Sequence, residues 1–286
     1  VEPVRVSADT PVRERTGVAG TLPALRVEGL GEGLEAGLTT RENDFRFSRR
    51  AADPAVASSY AGLELFAAAF GGWRRVHQLH GARVLREGPG MAPGPDGVTL
   101  GEADGLVAER DRVRGAGPGR LLTVTAADCV PVYLAWSGGY GLLHAGWRGT
   151  AAGVLEAGLA AAAAPVGELR VHLGPAIGGC CYEVGPEVVA ALYRARGGPE
   201  AGLAEGALTP GRDDRWMLDL RAALAARALV AGLDPARVSV SGRCTACDGA
   251  FHSFRAGGEP HVRHVMLAFL GARLRTPELA IRRGIG

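Results

Sequence analysis

Between Leu121 and His144 the sequence carries three short apolar runs with almost no polar alternation, and no other stretch constrains the fold as tightly. Leu121–Ala127 and Val130–Ala135 are rich in Val, Leu and Thr, and Gly141–His144 is a third short run. A strand with one wet face alternates polar and apolar side chains, whereas a strand covered on both faces has no polar set to display. These runs therefore predict strands buried from both sides. Leu169–Leu173 and Val238–Ser241 have the same character. Helices are expected at Ala57–Phe70, Thr150–Ala164, Pro186–Arg196 and Leu218–Ala231, the last stopping at Gly232. Strands and helices mixed in this way give an α+β or α/β domain of layered sheets.

The chain can fill such a fold. Of its 286 residues 47% are hydrophobic and 22% charged, which excludes a disordered chain and allows one large domain or two small ones. No repeat or long linker divides it, so residues 22–271 read as a single domain. Residues 1–21 read as a loose arm and 272–286 as an arginine-rich tail. Gly88–Gly101 and Gly115–Gly119 read as loops, and Gly197–Arg212 as an irregular region between two halves of the fold.

Charge and composition remove several function classes. The 32 basic and 30 acidic residues leave a net charge of +2, with no electrostatic footprint for nucleic acid or an anionic membrane. The sequence contains no lysine. That excludes a Schiff-base lysine, with pyridoxal-phosphate chemistry and lysine aldolases, and it excludes the P-loop. No window approaches the ~18 consecutive apolar residues of a membrane-spanning helix. Val1–Thr21 has no apolar signal core, and five cysteines at irregular spacing suit reduced thiols. A cytoplasmic location is expected.

Three segments interrupt the apolar pattern with reactive side chains. His144-Ala145-Gly146-Trp147-Arg148-Gly149-Thr150 reads as strand end, glycine turn and helix start, with Thr150 as N-cap. Free N–H groups there favour an anion, and Arg148 adds a charged fork. The plain alternative is a tight turn with a buried histidine and a packing tryptophan. In Thr125–Pro131 an Asp128-Cys129 pair breaks a run just before Pro131, so the chain must bend at Cys129. The alternative is an inert buried thiol with Asp128 as a turn cap. Gln78-Leu79-His80-Gly81 ends a third run, where His80 is either a ligand or a turn residue.

Together His80, Cys129 and His144 supply two imidazoles and a thiolate, a donor set used by catalytic zinc with its fourth position open. The rival reading makes Cys129 a nucleophile with His144 or His80 as its base. The two exclude each other, because a metal-bound thiolate is unavailable for attack. Other features carry less. Cys244-Thr245-Ala246-Cys247 is a lone CxxC; without a second pair a zinc ribbon is not expected, a redox dithiol lacks its thioredoxin-like context, and a structural role is expected. Cys180-Cys181 is expected in a turn lining a cleft. Gly31-Glu32-Gly33 mimics a dinucleotide fingerprint, but no helix follows, so NAD and FAD are discounted. Ser253-Phe254-Arg255 would aim an arginine at a substrate or leave it on the surface.

In this order the segments resemble the YfiH family, whose members have been called laccase-domain proteins or polyphenol oxidases, purine nucleoside phosphorylases and peptidoglycan editing factors. The likeness runs from about Gly37 to Phe269. It rests on Gln78–Gly81, Ala103-Asp104-Gly105-Leu106-Val107, Thr125–Pro131, His144–Gly149 and Leu173–Gly178. It continues in Cys181-Tyr182-Glu183-Val184, Leu218-Asp219-Leu220 and Cys244-Thr245. The resemblance implies an αββα sandwich of mixed sheets flanked by helices, similar to that of a cytotoxic necrotizing factor. It also implies zinc, with copper as the alternative, held by His80, Cys129 and His144.

The activity it implies is a zinc-dependent purine nucleoside phosphorylase acting on adenosine, inosine and methylthioadenosine, with adenosine deamination beside it. Its partners would be the nucleoside and phosphate, and no nucleic acid or membrane. Arg41, Gln78, Arg148 and Arg255 would bind substrate or phosphate, and Asp128 or Glu183 would move a proton. The alternatives are a cell-wall precursor amidase using Cys129, a copper-dependent polyphenol oxidase, and a binding scaffold that has lost catalysis. Copper fits poorly, since multicopper centres need more than seven scattered histidines. The sequence departs from the family at Ala256, at Gly179, over Thr40–Phe45, and at Leu224 and Ala225, where an Asn is usual.

Overall fold

The structure is a computed structural model and describes residues 11–88, 91–110, 120–194, 206–257 and 264–273. One sheet holds β1 (Arg13–Ala19), β2 (Leu22–Glu28), β3 (Leu34–Thr39), β4 (Trp73–His77), β6 (Thr99–Glu102), β8 (Leu121–Ala126) and β16 (Met266–Ala272). Its spatial order is β1-β2-β3-β16-β8-β4-β6. A second sheet holds β5 (Val84–Glu87), β7 (Gly105–Glu109), β9 (Val130–Trp136), β10 (Gly139–Ala145), β11 (Arg170–Leu173) and β15 (Val238–Val240). Its order is β15-β11-β9-β10-β7-β5. A small third sheet joins β12 (Glu183–Val184), β14 (Trp216–Leu218) and β13 (Leu208–Pro210). The helices are α1 (Pro54–Ala67), α2 (Trp147–Ala152), α3 (Val154–Ala162), α4 (Pro186–Arg194) and α5 (Leu220–Val230).

The two-residue period of the strands sorts their side chains into layers. In β9, Val132, Leu134 and Trp136 pack with Val154 and Leu155 of α3 and with Leu220 and Leu224 of α5. Tyr133 and Ala135 of the same strand point the other way, into Leu25, Leu38, Val124 and Leu270 of the first sheet. The outer face of that first sheet, with Leu22, Leu121 and Phe269, is covered by Val56, Tyr60, Leu63 and Phe66 of α1. Helix, sheet, sheet and helices stack in that order, the αββα sandwich the sequence led one to expect. All seven residues of β9 and all seven of β10 are buried, which is why neither strand alternates. Each Val or Leu buried this way contributes about 1.5–3 kcal/mol over leaving it exposed.

Three expectations change. From Arg13 the expected loose arm is a strand, paired with β2 along its whole length from Arg13↔Glu28 to Ala19↔Leu22. It sits at the edge of its sheet and is mostly exposed, so no apolar run marked it. Thr150 is not an N-cap. The helix starts at Trp147 with Gly146 as N-cap, because Gly146 stays extended and leads β10 straight into α2. The helix expected over Thr150–Ala164 is broken at Gly153, whose φ of 93° ends α2 and starts α3. Residues 1–10, Gly115–Gly119, most of Gly197–Arg212 and nearly all of the 272–286 tail lie outside the described residues.

One topological feature places the chemistry. The chain passes from the first sheet to the second three times in succession, at β4–β5, β6–β7 and β8–β9. These crossings carry His80, Asp104 and Cys129 respectively. His144 closes β10 and faces the same end of the sandwich.

Candidate metal centre

The three crossings converge. One ligand atom from each of His80, Cys129 and His144 lies within 4.8 Å of the other two. The two imidazole rings stand edge to face, with centroids 4.8 Å apart at 88°. His144 is buried, Cys129 half-buried and His80 exposed, so the trio is walled behind and open in front.

Asp104 holds this arrangement. Its carboxylate accepts hydrogen bonds from the backbone N–H groups of Leu79 (3.2 Å), His80 (2.8 Å) and Gly81 (2.7 Å). The same carboxylate lies 3.0 Å from Nδ1 of His144, which fixes that ring as an Nδ1 donor and turns Nε2 toward the trio. His80 has a left-handed backbone, with φ of 60°. Such a conformation costs a non-glycine residue about 1–3 kcal/mol. Hydrogen bonds to a charged acceptor contribute about 1.5–3 kcal/mol each, so three of them outweigh the strain. Burial opposes ionisation of Asp104, but the His144 ring and the Gly81 and His80 N–H groups hold its carboxyl below the usual range.

The glycines of the His144 segment have steric reasons. A Cβ on Gly146 would sit 3.1 Å from Sγ of Cys129 and 3.4 Å from the His80 ring. A Cβ on Gly149 would meet the carbonyl oxygen of Gly81 at 2.7 Å. The α2 turn therefore closes tightly over the trio only because both side chains are missing.

Electrostatics make Cys129 a ready thiolate. Burial works against its ionisation, but the His144 and His80 imidazoles lower the thiol to about 6. For His144, burial works against protonation, yet Cys129 and Asp104 raise the ring to about 9. Without metal the pair is thus thiolate and imidazolium between these values. Iodoacetamide should alkylate metal-free protein at Cys129 slowly below pH 6, and faster as the pH rises through about 6. A half-maximal rate near pH 8.5–9, followed by peptide mass spectrometry, would show the thiol to be unperturbed.

The donors suit zinc, which takes tetrahedral nitrogen and sulfur ligands and leaves a catalytic position open when three are protein-derived. Among the described residues only one other group of metal-ligating side chains occurs, and it contains no histidine. A multicopper centre, which needs several histidine-rich sites, finds no support in these side chains.

Comparison with known proteins bears on the same residues. The family profile described as “Multi-copper polyphenol oxidoreductase laccase” matches residues 44–270, a span that includes all three candidate ligands and Asp104. The chain belongs to this laccase-domain, or YfiH, family. “Purine nucleoside phosphorylase YlmD” of Geobacillus stearothermophilus is 37% identical over 212 residues, covering 70% of this chain and 72% of its own. The crystal structure of YlmD superposes with a TM-score of 0.75 at 29% identity, over 92% of this chain and all of that one. A “Purine nucleoside phosphorylase” of Deinococcus radiodurans is 37% identical over 243 residues, covering 80% of this chain and 81% of its own. The fold is also that of the hypothetical protein YfiH of Bacillus licheniformis, with a TM-score of 0.69 at 22% identity over 96% of this chain and all of that one.

Within this laccase-domain protein the remaining candidate residues divide into three groups. Arg148 lies over the Trp147 ring at 4.3 Å, and Arg255 over the Tyr182 ring at 4.9 Å. Burial raises the Tyr182 phenol to about 12, and its hydroxyl also feels the charges of Cys129, Arg255, Asp128 and Arg148. Arg148 follows His144 by four residues, and the Arg255 backbone is tied to Asp128, the neighbour of Cys129. Gln78 and Asp128 stand beside the trio in the chain, two residues before His80 and next to Cys129, but their polar atoms are already engaged. Gln78 accepts from the N–H and hydroxyl of Thr125 and donates to its carbonyl, clamping the end of β4 to β8. Asp128, at φ of 84°, accepts from the Thr245 hydroxyl at 2.6 Å and the Arg255 N–H at 2.8 Å. Arg41 stands apart, in a cleft of about 390 Å³ lined by Cys247, His252, Ser253, Ala256 and His264 and by none of the trio.

Two features escaped the sequence. Asp104 was visible only as part of a family motif, with no role. The signal available was a lone carboxylate between Ala103 and Gly105 at the start of an apolar run. The other is the meeting of Cys180-Cys181 with the Cys244 and Cys247 pair.

Proposed function

We propose that this chain is an enzyme of purine nucleoside metabolism, a phosphorylase with zinc held by His80, Cys129 and His144. The observation that carries the reading is the trio itself, three donors gathered within 4.8 Å and oriented by one buried carboxylate. The relatives named purine nucleoside phosphorylase support the substrate class. Bound there, zinc would supply a Lewis acid at the open side of the site. The chain's own residues do the rest. Arg148, four residues after His144, and Arg255, whose backbone is held by Asp128, carry guanidinium forks that suit phosphate. Tyr182, kept protonated by its burial, is a neutral donor beside them. Hydrogen phosphate attacks C1′ of the ribose through an oxygen as the bond to the base breaks, and the proton it gives up passes to the departing base. Asp128 positions Cys129 and Arg255 by tying their segments together, rather than carrying that proton. Adenosine, inosine and methylthioadenosine fit the reading, and a cytoplasmic location goes with it.

The test uses zinc-loaded protein with adenosine, with and without phosphate, and resolves products by liquid chromatography and mass spectrometry. Adenine and ribose 1-phosphate are expected only where phosphate is present. Inosine in both tubes would replace the phosphorylase by a deaminase. Unchanged adenosine in both, with zinc bound, would overturn the nucleoside reading.

A second reading rests on the paired states of Cys129 and His144. A thiolate beside an imidazolium is the resting state of a cysteine nucleophile, which an amidase acting on cell-wall precursors would use. Zinc should inhibit that enzyme, and activity should survive chelation and disappear on alkylation. The phosphorylase should behave in the opposite way toward the chelator.

A further inference from the structure

Cys180, Cys181, Cys244 and Cys247 come together away from the trio, with all four sulfurs within 4.8 Å of one another. The Cys247 sulfur lies 3.6 Å from that of Cys180 and 3.2 Å from that of Cys181. A zinc ion with Zn–S bonds of about 2.3 Å holds its four sulfurs about 3.8 Å apart, at the corners of a tetrahedron. The four sulfurs therefore already stand near the separations one ion requires. Clusters of two or four irons need more room, because bridging sulfides push the outer thiolates apart.

The backbone around the cluster is built to present sulfur. The first pair stands on a turn in which Cys181 and Tyr182 both donate to the carbonyl of Gly178. The second stands on a turn in which Cys247 and Asp248 donate to the carbonyl of Cys244. The N–H of Gly178 reaches across to the sulfur of Cys244 at 3.2 Å, the kind of outer hydrogen bond that stabilises a ligating thiolate. A Cβ on Gly178 would lie 3.4 Å from both the Cys180 sulfur and Cβ of Cys244. Little else joins the two loops. Their β contact is one isolated bridge, Ala176↔Cys244, with the Thr245 N–H on the Ala176 carbonyl.

We infer that these four cysteines form a second, structural zinc site that fastens the 176–182 loop to the 243–248 loop. A closed four-thiolate shell leaves no open position, so this ion takes no part in turnover. Each thiol gives up its proton as the ion binds, and no electron moves. The site fastens useful parts. Tyr182 follows the first pair directly, while Thr245 lies between the second pair and holds Asp128, whose other oxygen holds Arg255. The ion thus sets the side of the candidate active site that carries Tyr182 and Arg255.

The experiment is metal analysis by mass spectrometry on protein purified under reducing conditions, for wild type, Cys129→Ala, Cys247→Ser and the double variant. Cys247→Ser is expected to lose one zinc equivalent relative to its parent in both backgrounds. Because Cys129→Ala reads the trio alone, failure of the trio and failure of the four-cysteine site remain distinguishable. Unchanged zinc in Cys247→Ser overturns the inference, and iron in place of zinc overturns its metal. Should Cys247→Ser not fold, wild-type protein decides by iodoacetamide labelling before and after chelation. The four cysteines are expected to be protected until chelation. Equal labelling in both samples, or a disulfide between Cys181 and Cys247, overturns the site.

Discussion

Cys129→Ala is expected to hold no metal at the trio and to lose phosphorolysis by more than about 100-fold. Removing a mere hydrogen-bond partner of a metal ligand costs roughly 10–100-fold in affinity or activity, and a ligand does more than its partner. The fold should survive, because Cys129 is half-buried at a corner whose backbone is held by Asp128 through Ile177, Thr245 and Arg255. Zinc content is best read in the Cys247→Ser background, where the trio is the remaining candidate site. Retained zinc there would remove Cys129 from the ligand set. Retained activity without zinc would remove the metal from the reaction.

Asp104→Ala should be the more damaging change to the molecule as a whole. The substitution strips the acceptor from three backbone N–H groups and from Nδ1 of His144 together. It also leaves His80 in a left-handed conformation that nothing then supports. Breaking a buried charged contact of this kind costs about 3–5 kcal/mol. Urea denaturation should show that loss in the metal-free protein, with zinc affinity at the trio falling about 10–100-fold in a competition titration. Asp104→Asn keeps the shape and one acceptor oxygen, so it should recover part of the stability but little of the affinity. Wild-type stability in Asp104→Ala would mean that water replaces the carboxylate, and the orienting role would fail.

The contrast between these residues shows what a sequence reveals. Cys129 and His144 stand out because each interrupts an apolar run, and an interruption is a local event. Asp104 is local in no useful sense. Its partners are a loop about two dozen residues earlier and a ring 40 residues later, brought together only by strands crossing between sheets. The four-cysteine cluster hid for the same reason, since its halves lie 66 residues apart and each is ordinary alone. β9 and β10 were legible because burial on both faces leaves no polar residues, whereas β1 is an exposed edge strand with nothing apolar to mark it. Thr150 misled because a hydroxyl before a helical pattern is a common cap signal. Here Gly146 carries the strand into the helix four residues sooner.

The three successive crossings between sheets also govern when the centre comes into being. His80, Asp104 and Cys129 ride on consecutive connections, and His144 follows only after β9 and β10 have paired. The β9–β10 hairpin brings only Cys129 and His144 together, and loop-closure entropy must be spent on the earlier crossings before His80 and Asp104 join them. Metal capture by all three donors would therefore be a late event in folding, open only to chains whose two sheets have already docked. The rate at which refolding protein gains tightly held zinc there should follow the slowest phase of sheet docking, and a chain with only the β9–β10 hairpin formed should offer the ion two donors and a weaker grip.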